Sequence, residues 1–192
     1  MQLNPSDPRF IITLVVIVLI IAIGVALFVW QRKKTTTKLR QHFGSEYDRT
    51  VLEQGSAHKA EAKLEARESR VEHLKIRDLG ATERERFLAD WQSVQSRFVD
   101  HPKGAVTEAD ELVASLMQAR GYPVADFEQR AADISVNHPR VVEHYRAAHA
   151  VATRLSTDEP TTEDLRAAMI QYRTLFDELL QVQTPAEMRP VT

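Results

Sequence analysis

The chain has 192 residues, a formal net charge of −2 and no cysteine. Without cysteine there is no thiolate nucleophile, zinc–thiolate site or thiol redox pair. Five basic residues cluster between positions 32 and 40, which leaves the rest of the chain more acidic than the total and excludes the basic face that nucleic-acid binding requires.

Residues 1–9, with Pro5 and Pro8, predict an unstructured extramembrane stub. Residues 10–30, FIITLVVIVLIIAIGVALFVW, carry no charge, and only Thr13 and Gly24 interrupt the apolar run. At about 1.5 Å per residue a helix here is roughly 30 Å long, the thickness of a bilayer's hydrocarbon core. A single transmembrane helix is the expectation. A cleaved signal peptide fits poorly: the run is too long, the leader sets Asp7 against Arg9, and no small-residue cleavage pattern follows.

Arg32, Lys33, Lys34, Lys38 and Arg40 follow the span with no acid among them. The positive-inside rule then puts the C-terminal part in the cytoplasm. This basic cluster is either a topology signal alone or a contact for anionic lipid headgroups, at about 1 kcal/mol per Lys or Arg. Ala22 and Ala26 form a small-xxx-small pair of the kind that lets membrane helices pair.

Residues 31–80 read as a basic juxtamembrane segment and a charged helical stalk. The anchor helix can continue as far as Gly44, Gly55 is the next break, and a helix runs from Ser56 to Arg77. Ala57, Ala60, Leu64, Val71 and Leu74 make a heptad-spaced stripe between acidic and basic faces, with Arg67 in the remaining core position. The stripe is a candidate coiled-coil seam for a homo-oligomer. The alternative, which its short length and Arg67 favour, is a narrow face laid on the chain's own domain or a solvated spacer.

Residues 81–181 predict a bundle of about five helices. Thr82 with Glu85 reads as a capping box before the stripe Phe87, Leu88, Trp91, Val94, Phe98 and Val99. Asp100-His101-Pro102 caps a second helix with Ala105, Val106, Ala109, Leu112, Val113, Leu116 and Met117 inward, and Gly121 then Pro123 ends it. Asp126 with Gln129 caps a shorter helix carrying Phe127, Ala131 and Ile134. Asn137-His138-Pro139 opens the next, with Val142, Tyr145, Ala148 and Ala152 inward. After the polar loop 156–164, a last helix bears Leu165, Met169, Tyr172, Phe176 and Leu179, and residues 182–192 form a flexible tail. No stretch alternates with period two between hairpin turns. The expected fold class is all-α.

Six glycines, none in a G-x-G or GK[ST] arrangement, exclude a dinucleotide fingerprint or P-loop. Of seven histidines, His144 and His149 are five apart and so rotated by ~140° on a helix, unsuited to one metal. No cofactor, metal or catalytic residue is expected. His138 and His149 share the face marked by Val142 and Tyr145, as core histidines satisfied by a neighbouring acceptor or as a pH-responsive pair.

The stretch GYPVADFEQRAADISVNHPRVVEHYRAAH, Gly121 to His149, together with FGSEYDRTV, Phe43 to Val51, resembles a family of uncharacterised bacterial single-pass membrane proteins. The resemblance implies a bacterial cytoplasmic-membrane protein with an N-terminal anchor and a helical domain, and implies no catalytic or ligand residue. The function expected is a membrane-anchored helical interaction or scaffold module, with the lipid bilayer and an unidentified protein as partners and no nucleic acid. The alternatives are a pH- or stress-responsive regulator using the two histidines, or an enzyme with an unrecognised site.

Overall fold

The computed structural model describes residues 8–155 and 160–180; the expected stub up to residue 7, part of the loop after Leu155 and the tail lie outside them. Among the described residues there are eight α-helices and no strand, so the all-α expectation holds. The chain divides into two compact units, Met1–His42 and Phe43–Thr192.

The first unit is built on α1 (Pro8–Phe43), one unbroken helix of 36 residues. In its apolar stretch the described side chains, residues 16–24, 26, 27 and 30, are all exposed. Among the described residues no helix is long and apolar enough to cross a membrane. The expected membrane span over residues 10–30 is therefore not borne out among them. The helix stops at Gly44, whose positive φ of 55° breaks the α geometry.

The second unit begins with α2 (Ser45–Gln54) and α3 (Ala57–Glu72), joined at Gly55 in the left-handed conformation. Ser56 caps α3 by accepting from the Lys59 N–H at 3.3 Å. Ala60, Leu64 and Val71 are buried, and α3 packs on α2 and on α6 (Phe127–Asn137). This corrects the expected stalk: residues from Phe43 onward belong to the folded domain, and α3 ends at Glu72 rather than Arg77.

The main core lies between α4 (Ala81–Arg97), α5 (Pro102–Ala119), α7 (Val142–Arg154) and α8 (Thr162–Leu180). The α4–α5 hairpin closes as the stripes require, with Phe87, Trp91 and Val94 facing Ala105, Val106, Ala109 and Val113 in one cluster. Trp91 is fully buried and stacks on Phe176 of α8 with ring centroids 4.7 Å apart. Val99 falls beyond the end of α4 and is 83% exposed, so it leaves the expected stripe.

Three expected caps move. Gly80, not Thr82, precedes α4; the Glu83 carboxylate accepts the Gly80 N–H at 3.0 Å and is clamped by Arg77 through bonds of 2.7 and 2.8 Å. His101 occupies the N-cap of α5 without a side-chain bond, leaving Pro102 as the start signal. Asn137 ends α6 instead of opening α7, which starts only at Val142, and its amide donates to the Tyr122 hydroxyl at 3.1 Å. Asp126 caps α6 as expected, accepting from the Gln129 N–H at 2.8 Å. Thr161 and Asp164 form an unforeseen capping box before α8.

The end of α5 is a Schellman turn: Tyr122 N–H donates to Met117 carbonyl and Gly121 N–H to Gln118 carbonyl. Gly121 sits at φ +97°, and a Cβ there would lie 2.3 Å from the Lys75 carbonyl oxygen. Arg120 secures the same corner. It donates to the carbonyls of Arg77 and Leu179 and to Asp78, tying the loop after α3 to the C-terminal turn of α8.

Candidate functional site

The α2–α3 hairpin is attached to α7 by charge. Glu46 of α2 has a side chain only 1% exposed, and its Oε1 accepts from Arg67 Nη1 at 2.9 Å and from Arg146 Nη2 at 3.0 Å. Oε2 accepts from Arg146 Nε at 3.3 Å. A carboxylate this deep is tolerable because several charge-assisted donors replace water. The remaining face of Arg146 donates from Nη1 to Glu128 Oε2 at 2.7 Å, and Glu128, at the start of α6, is 67% exposed. Arg49 Nη2 lies 3.8 Å from the same oxygen.

A second polar group lies within the bundle. Asp110 of α5 accepts from the Tyr172 hydroxyl at 3.0 Å, faces His149 Nδ1 at 3.4 Å and has Arg130 at 4.0 Å. Burial alone would raise the Asp110 carboxyl, but hydrogen bonds from His149 and Tyr172 and the Arg130 charge outweigh it and hold it low. Burial beside the Asp110 charge pushes the Tyr172 hydroxyl far up and that of Tyr145 up to about 12. Arg130 donates to the Tyr145 oxygen at 2.9 Å. The two tyrosines therefore act as neutral hydrogen-bonding groups near neutral pH.

His149 joins this buried group to the surface. Its ring stacks on Phe127, centroids 3.6 Å apart and planes within 6°, and it lines a pocket of about 580 Å³ with Arg49, Phe127, Glu128, Arg146 and Thr153. The pocket thus has an aromatic and aliphatic side and a rim of mixed charge.

The residues expected to matter fall in three places. Lys33, Lys34, Lys38 and Arg40 are exposed along α1, with the Lys34 ammonium 5.7 Å from the Trp30 ring centroid; the Arg32 side chain lies outside the described residues. The expected self-association seam is consumed within the chain: Ala60, Leu64 and Val71 are buried, Leu74 is partly buried against the main core, and only Ala57 is exposed. His138 and His149 do not form a pair. His138, at the C-terminal end of α6, has a buried ring whose Nδ1 faces Glu178 at 3.2 Å and whose Nε2 has no partner among the described residues. Burial lowers its pKa, against the opposing bond from Glu178. Among the described residues no group of three or more His, Cys, Asp or Glu is placed to hold a metal ion.

The Glu46–Arg67–Arg146 group escaped the sequence reading, although it left a signal. Arg67 interrupts an apolar stripe, and a cation at a core position needs an acid on the facing element. Comparison with protein families, with curated proteins and with solved structures gives no match to this chain.

Proposed function

We propose that the chain is a single-pass helical module anchored in a bacterial cytoplasmic membrane, with its bundle on the cytoplasmic side as an interaction or scaffold domain for a protein partner. The observation that carries this reading is α1. It runs unbroken for 36 residues, its described apolar side chains from Val16 to Leu27 are exposed, and Lys33, Lys34, Lys38 and Arg40 follow in the same helix. The uncharged sequence from Phe10 to Trp30 supports a crossing of the hydrocarbon core, and the basic turn after it supports the orientation.

Two measurements test it. Alkaline carbonate washing of membranes from expressing cells should leave the full chain in the pellet, and deletion of residues 10–30 should release it. A reporter enzyme active only outside the cytoplasm, fused after Thr192, should stay silent. Release of the intact chain by carbonate refutes the anchor, and strong reporter activity refutes the orientation. A second reading, a pH-responsive regulator, draws on the buried His138 ring with its unpartnered Nε2.

A further inference from the structure

The pocket beside Phe127 and His149 opens onto a buried group of charges. Glu46 is a single carboxylate shared by two arginines, so the buried group of Glu46, Arg67 and Arg146 carries one excess positive charge. The side chains of Arg67 and Arg146 are only 8% and 10% exposed, and Arg67 Nε is buried without a partner among the described residues. A buried charge needs compensation. Part of it comes from Glu128, whose side chain is 67% exposed and reaches Arg146 Nη1 from the solvent rim.

Arg146 is preorganised: Nε and Nη2 are fixed by Glu46, so Nη1 is held in place whether or not Glu128 occupies it. Arg49 is held by Glu53, to which its Nε donates at 2.7 Å, and its Nη2 approaches the same Glu128 oxygen at 3.8 Å. The pocket continues from this point past Phe127, His149, Ala150 and Thr153, and its other carboxylate, Asp126, is engaged by the Gln129 N–H at 2.8 Å. An exposed carboxylate is the weakest-held member of such an arrangement, since water solvates it well once it swings away.

We propose that this pocket binds a small organic carboxylate, which replaces the Glu128 carboxylate at Arg146 and Arg49 and lays its apolar part along the Phe127, Ala150 and Thr153 side. Glu128 is the internal occupant that keeps the site closed to weak ligands. Selectivity for a carboxylate over a bare inorganic anion comes from the apolar side of the pocket, and selectivity over a cation comes from the two guanidinium groups.

The test uses the full chain in detergent micelles and isothermal titration calorimetry at constant ionic strength. Benzoate is the probe, with benzylamine and inorganic phosphate as comparisons. Replacing Arg146 would leave Glu46 buried and unpaired, so the variants are the surface changes Glu128→Gln and Arg49→Gln, each checked for native helix content by circular dichroism. Benzoate should bind Glu128→Gln about tenfold more tightly than the native chain, equivalent to about 1.4 kcal/mol. Adding Arg49→Gln should reverse most of that gain, and both comparison probes should bind more weakly than benzoate. Equal benzoate affinity in the native and Glu128→Gln chains overturns the proposal, as does the lack of saturable binding in both. Benzylamine or phosphate binding as tightly as benzoate overturns it too.

Discussion

Truncating Glu46 to alanine removes the buried carboxylate that two nearly buried arginines share. Removing one partner of a buried ion pair costs about 3–5 kcal/mol, because the charge left behind remains desolvated. Arg67 bears the larger loss: it donates to Glu46 from Nη1 and its Nε already lacks a partner, while Arg146 retains Glu128. We expect Glu46→Ala to destabilise the domain by about 3–5 kcal/mol, a fall of roughly 6–20 °C in Tm for a unit of this size. Arg67→Met added to Glu46→Ala should recover more than half, since the methionine leaves no buried charge and retains most of the packing. The assay is urea unfolding of a fragment from Phe43 to Thr192, in which Trp91 is the only tryptophan and reports from the core. A loss below about 0.5 kcal/mol would show that α2 and α3 do not dock on the bundle in solution, and would restore the independent stalk.

Trp91→Ala should cost about 3–5 kcal/mol in the same assay; the indole N–H has no partner among the described residues, so Trp91→Phe should cost markedly less than Trp91→Ala. Gly121→Ala combines a positive φ with a Cβ placed against a backbone oxygen, and should destabilise by more than about 1 kcal/mol; a neutral result by calorimetric Tm would refute the close approach of residue 75. His138 has a pKa lowered on folding, so the unfolded state binds the extra proton, and stability should fall as pH drops below about 6.5 toward the folded value. His138→Phe should flatten that slope in urea midpoints measured between about pH 7 and pH 5; an unchanged slope would refute the assignment.

Helix existence and most core positions were legible in the sequence because period and burial arise from the same geometry. Phe87, Trp91 and Val94, or Val113, Leu116 and Met117, recur at helical spacing and are buried. Local chemistry was legible where it closes within a few residues, as at Asp126 with Gln129 and at the Gly121 turn. It failed where a side chain had a distant competitor. Asn137 has the side chain of a cap, but α6 runs on to include it, and its amide N–H donates to Tyr122, fifteen positions earlier. Thr82 has the spacing of a capping box with Glu85, but Arg77 and Glu83 set the helix start two residues sooner. The candidate site was the least legible part, since Glu46, Arg67, Glu128 and Arg146 come from four helices and show no common spacing. In the sequence Arg67 stands only as a flaw in a seam, whereas the structure gives it a partner 21 positions away.

The stacking of Trp91 on Phe176 sets an order for synthesis. The α4–α5 hairpin is complete at Ala119, but Phe176, whose ring covers Trp91, is encoded about 57 residues later, a wait of roughly 3–11 s at about 5–20 residues per second. The Leu179 carbonyl that receives Arg120 comes later still. Throughout that interval the hairpin carries a large uncovered aromatic face and a half-made corner, so a nascent chain arrested before α8 is the form of this protein most in need of a chaperone, and the completed chain the least.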